Sequence, residues 1–109
     1  MIQLAFFLAA APFDASSYVS ISGISSADFV SECAKDRGMQ MDICTTYILG
    51  VSDALQVNKV TCRDPSDIAT MQTLAIVRKY ISSHPEEWNK HPYYLVQKPL
   101  VAAYPCPKK

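Results

Sequence analysis

Four cysteines in 109 residues, Cys33, Cys44, Cys62 and Cys106, constrain this chain more than any other feature. An even number in so short a chain reads as a disulfide framework, provided the chain leaves the reducing cytoplasm. Zinc is the competing use. Zinc sites bring their ligands in close pairs on a turn, and this sequence contains no C-x-x-C. The framework reading therefore carries the argument forward.

Compartment is addressed by the N-terminus. Residues Leu4–Phe13 form an apolar run with no charge before Asp14. A membrane span takes about 20 apolar residues, so this run is too short to cross. It suits the apolar centre of a secretory signal, with Ala9, Ala10 and Ala11 near a cut, or a cut after Ala15. No Lys or Arg precedes it. The other reading is a buried N-terminal helix. We expect residues 1–15 to be a signal peptide, 16–26 a flexible mature N-terminus, and 27–109 one helical domain. A short strand over Ser16–Ser26 would have no partner run to pair with.

Half the residues are hydrophobic and 18% are charged, enough for one packed core. Ten basic and ten acidic residues cancel. Sequence-blind nucleic-acid binding needs a positive field, so it is excluded. Three glycines argue against a phosphate-cradling loop.

Helical periodicity runs through the rest. Ser26 can cap a first helix, with Asp28 at its positive end and Phe29, Val30, Cys33 and Ala34 on one face. Gly38 is its expected stop. Asp42 caps a second helix over Ile43–Val57. Its apolar stripe is Ile43, Cys44, Tyr47, Ile48, Val51, Ala54 and Leu55, opposed by Thr45, Ser52, Asp53 and Gln56. Leu49 sits on the polar side. Gly50, mid-helix, suggests close approach of a neighbour. Ser66 or Asp67 can cap a third helix over about 68–82. Apolar residues wrap most of that helix, including Ile68, Met71, Leu74 and Ile81, so it is expected at the centre. A fourth helix starts at Pro92 behind His91, and Leu95, Val96, Pro99, Leu100 and Ala103 give it an apolar face. Pro99 within it predicts a kink or an early stop.

In a helical hairpin turning near Gly38, Cys33 and Cys44 fall opposite each other on the inward faces. That favours Cys33–Cys44, with Cys62–Cys106 by elimination, among the three pairings that four cysteines allow.

Catalysis finds little support. Oxidised cysteines leave no thiolate nucleophile, and neither G-x-S-x-G nor H-E-x-x-H occurs. His84 precedes a proline at a helix end, where contact with terminal carbonyls is the ordinary role, and His91 reads as a cap or a surface residue. Glu86 and Glu87 are adjacent in a loop and read as solvated or helix-end charges. Tyr47 and Tyr80 read as core, and Asp53 as a surface charge or a partner contact. Ser83–His91 is a polar loop holding the only tryptophan, Trp88, between Glu87 and Asn89. Such a tryptophan is either a binding anchor or a cover for the end of the bundle.

From Cys33 to Cys106 the chain resembles the Rap/Tai family of type VI secretion immunity proteins. The resemblance rests on Cys33; Cys44, Tyr47, Gly50, Val51 and Asp53; and Cys62 and Pro65. It continues through Gln72, Val77, Lys79, Tyr80 and Ile81; His84, Pro85 and Glu86; and Leu95, Val96, Leu100, Ala103, Pro105 and Cys106. Asp67-Ile68-Ala69, Pro99 and the Trp88 loop depart from the family pattern. The resemblance implies an all-α, periplasmic, non-catalytic protein: a compact bundle of about four helices stapled by two disulfides. It also implies a homodimer whose loops plug the cleft of a secreted peptidoglycan amidase effector. No cofactor, metal, nucleic acid or stable membrane insertion is expected. The expected partner-binding residues are Ser83, His84, Glu86, Glu87, Trp88, Asn89 and Lys90. The rival is a periplasmic helical protein of stress or chaperone type with no toxin partner.

Overall fold

The computed structural model describes residues 23–35, 37, 40–64 and 67–108. The expected signal peptide, most of the expected flexible segment, the Gly38 stop and the Ser66 cap lie outside these residues. Among the described residues the architecture is all-α: α1 Ser26–Ala34, α2 Ile43–Val57, α3 Asp67–Ser83 and α4 Pro92–Ala103, with one 3₁₀ turn over Pro85–Glu87. Each helix packs against the other three. None is long and apolar enough to cross a membrane.

Local chemistry sets the helix starts. The cap of α1 is Ser25, not Ser26: its Oγ accepts the Asp28 N–H at 3.1 Å. Ser26 is already helical. Asp42 caps α2 as expected, accepting the Thr45 N–H at 2.8 Å. His91 caps α4 through Nδ1, which accepts the Tyr93 N–H at 3.0 Å, and Pro92 follows in the first turn. α2 ends in a paired-carbonyl motif. Lys59 N–H donates to Gln56 O and Val60 N–H to Leu55 O, with Lys59 in the left-handed region at φ 62°.

The core joins Phe29, Val30 and Cys33 of α1 to Cys44, Ile48 and Leu55 of α2, Leu74, Val77 and Ile81 of α3, and Leu95, Val96 and Leu100 of α4. Phe29 meets the Tyr47 ring at 5.0 Å between centroids. Burying large apolar side chains at about 25 cal/mol per Å² is the main favourable contribution.

Four expectations need correction. The inward face of α2 is rotated: Thr45 and Ser52 are buried, while Ile43 is exposed. Thr45 tolerates burial because Arg78 donates to its Oγ1 at 3.1 Å. The same rotation brings Leu49 against the core. Gly50 is exposed, and a Cβ added there would meet nothing within 4 Å, so it permits no close approach. α3 is one-sided rather than central: Ala69, Thr73, Leu74, Val77 and Ile81 face inward, whereas Ile68 and Met71 are 68% and 55% exposed. Buried Thr73 satisfies its own hydroxyl by donating to Ala69 O. Finally, α4 continues past Pro99 to Ala103, so no early stop occurs. Pro99 is itself buried.

Both expected disulfides are present, Cys33–Cys44 and Cys62–Cys106, closing separations of 11 and 44 residues. Beside the second, Cys62 N–H donates to Tyr104 O at 2.9 Å. The connection after α2 is thereby tied to the end of α4.

Candidate functional site

The loop after α3 is short, polar and held at both sides. Its 3₁₀ turn is closed by Glu87 N–H donating to His84 O and Trp88 N–H donating to Pro85 O. Pro85 suits the start of such a turn because it has no N–H to leave unpaired. The turn directs Glu87 and Trp88 back onto the bundle and leaves Glu86, Asn89 and Lys90 exposed.

Glu87 is the fastening point. Tyr80 of α3 donates its hydroxyl to Oε1, and the Lys98 ammonium of α4 lies 3.2 Å from Oε2. One carboxylate thus bridges two helices. The Tyr80 hydrogen bond, with Lys98 behind it, holds the Glu87 carboxyl below its ordinary range. Burial, and then the Glu87 carboxylate, pushes the Tyr80 phenol up. The Lys98 ammonium is held protonated well above the usual lysine range by Tyr94, Tyr80 and Glu87. Lys98 also lies 5.3 Å from the Tyr94 ring centroid and 5.9 Å from that of Tyr80.

His84 fits the ordinary role expected for it. Its Nδ1–H donates to Tyr80 O at 2.8 Å, and its ring stacks on that of Tyr80 at 4.1 Å. Trp88 combines the two readings of a loop tryptophan. Its indole N–H donates to Ile81 O at 2.6 Å, at the C-terminal end of α3, yet the residue is 41% exposed. Trp88 and Asn89 line a groove against Ala27, Val30 and Ala34 of α1. Lys90 stands 5.8 Å from the Tyr94 ring centroid. Ser83, the last residue of α3, is exposed.

The expected binding residues therefore share one end of the bundle. Sequence reasoning missed the residues beneath them. Lys98 and Tyr94 are four apart on α4, a spacing that places both on one helix face. Tyr80, read as core, is half-buried and faces the loop. Asp53 is exposed and takes no part.

Among the described residues, no three His, Cys, Asp or Glu side chains gather to hold a metal ion. Nor do His84, His91 and Asp53 form an acid–base constellation: His84 is engaged with Tyr80, and His91 with the first turn of α4. What the end of the bundle offers is a fixed relief that includes the exposed face of Trp88, suited to contact with another macromolecule.

A family model describing Rap1a immunity proteins matches residues 25–106. No curated protein and no solved structure matches the chain.

Proposed function

The chain belongs to the family of Rap1a immunity proteins, and from that membership we propose that it protects its producing cell by binding and blocking a peptidoglycan amidase delivered by type VI secretion. The mechanism is steric and non-catalytic. The bundle presents Ser83, His84, Glu86, Glu87, Trp88, Asn89 and Lys90 to the cleft of the amidase and excludes its substrate.

One observation carries this reading: the loop is shaped before any partner arrives. Trp88 is fixed through Ile81 and Glu87 through Tyr80 and Lys98. Association then costs little loop ordering, and the exposed Trp88 face adds apolar area where binding hot spots concentrate. Two disulfides support a location outside the reducing cytoplasm, which for this family is the periplasm. A homodimer presenting two such loops completes the proposal.

The test is reconstitution with a purified peptidoglycan amidase effector of type VI secretion, taken from the gene's neighbourhood where one is encoded there. We expect a stable complex and loss of peptidoglycan hydrolysis at equimolar protein. Undiminished hydrolysis with no complex would favour the rival, a periplasmic protein of stress or chaperone type.

A further inference from the structure

A second concave surface adjoins the loop. It lies between the C-terminal halves of α3 and α4, and Ser83 and His84 belong to both it and the loop. Ile76, Pro99, Ala102 and Ala103 give it apolar walls. Its charged lining residues are Lys79 and Lys98, and no carboxylate lines it. Lys98 is matched by Glu87, which lies outside the lining. Lys79 is exposed and makes no ion pair among the described residues.

We propose that this groove receives a segment of the protein partner in which an acidic side chain follows an apolar one. The apolar side chain seats against Pro99 and Ala102, and the carboxylate meets the Lys79 ammonium and the Ser83 hydroxyl. Charge complementarity selects this occupant. An unmatched ammonium at the rim of an apolar groove attracts an anion and disfavours a cation. An apolar residue alone would leave the charge unanswered, and a basic segment would be repelled by the Lys79 ammonium. Because Ser83 and His84 join groove to loop, an occupied groove would set the direction in which the partner crosses the bundle end. The occupant's identity as a partner segment rests on the proposed effector-binding role; the surface chemistry does not.

The test uses the mature protein and two blocked dipeptides, acetyl-Leu-Glu-amide and acetyl-Leu-Lys-amide, followed by NMR. We expect acetyl-Leu-Glu-amide to give saturable shifts of the Ala102 and Ala103 methyl signals and of the Ser83 amide. The lysine peptide should leave these signals in place. Lys79→Glu, at an exposed position that folding does not need, should abolish the response to the acidic peptide. Ala102→Trp should abolish it by filling the groove. Equal shifts with both peptides, no saturable shift with the acidic one, or an unchanged response in Lys79→Glu would each overturn the assignment. Absence of an amidase complex would count against the immunity mechanism and leave this result standing.

Discussion

Trp88 and Ile81 are joined by a hydrogen bond of 2.6 Å from the indole Nε1 to a backbone carbonyl at the C-terminal end of α3. The last carbonyls of a helix have no partner four residues on; Ile81 O receives a long bond of 3.3 Å from the His84 N–H, and the indole adds a second, shorter one. The bond also fixes which face of the ring is left outside. One side chain thereby serves both the scaffold and its surface.

Those two roles separate by substitution. Trp88→Phe keeps an aromatic ring and removes the donor. It should cost about 1 kcal/mol of stability, the net worth of one hydrogen bond, and little partner affinity. Trp88→Ala should cost about 2 kcal/mol or more of binding free energy, as expected of a hot spot. Urea unfolding and calorimetric titration with the amidase read the two effects. Unchanged affinity in Trp88→Ala would remove Trp88 from the interface.

Two backbone positions carry the wrong residue for stability. Gly50 lies mid-helix in open space, so Gly50→Ala should stabilise by about 1 kcal/mol. Lys59 occupies a left-handed position at φ 62°, where glycine is at ease, so Lys59→Gly should stabilise by about 1 kcal/mol. For a domain of this size each change should raise Tm by about 4–8 °C. No rise for Gly50→Ala would mean that the face of α2 around it is occupied.

Asp42 links acid stability to the helix junction. Its carboxyl is held below its ordinary value of 3.8, first by the Thr45 N–H and then by Arg78 and Arg37. A carboxyl depressed on folding contributes stability that is complete above its unfolded value and is lost as pH falls through the folded one. Unfolding free energy should therefore drop below about pH 4. Asp42→Asn keeps a capping oxygen but no charge, and should flatten that acid limb. A wild-type acid limb retained in Asp42→Asn would assign the effect to other carboxylates.

The two bridges should differ in worth through the loops they close. By chain entropy, Cys62–Cys106 should contribute about 4 kcal/mol and Cys33–Cys44 about 3. Paired alanine substitutions, compared by urea unfolding, measure the order. A larger loss for the Cys33–Cys44 pair would show that core packing around those buried cysteines outweighs loop closure.

Local signals were the legible part of this fold. Asp42 as a cap, the limits of α2 and the Cys33–Cys44 pairing follow from short-range chemistry and spacing, and Cys62–Cys106 then follows by elimination. The facing of α2 does not. Thr45 reads as solvent-facing until Arg78, 33 residues away, supplies its partner. Ile68 and Met71 suggest a buried helix, but both are exposed. At the loop, Trp88 marks the segment, whereas its fastening through Tyr80, Tyr94 and Lys98 depends on how α3 and α4 pack side by side. The unbroken run of α4 through Pro99 is likewise a tertiary outcome, since local chemistry argues for a kink or a stop.

Glu87 spends its carboxylate inside the protein, while Glu86 beside it is exposed at the surface with Asn89 and Lys90. Holding the turn falls to the Glu87 carboxylate and the Trp88 indole N–H, which leaves the side chains of Glu86 and Asn89 uncommitted to it. On the proposed interface, exchanges at 86, 89 or 90 should alter partner choice and leave the folded framework untouched, so new recognition and old robustness need not be traded against each other.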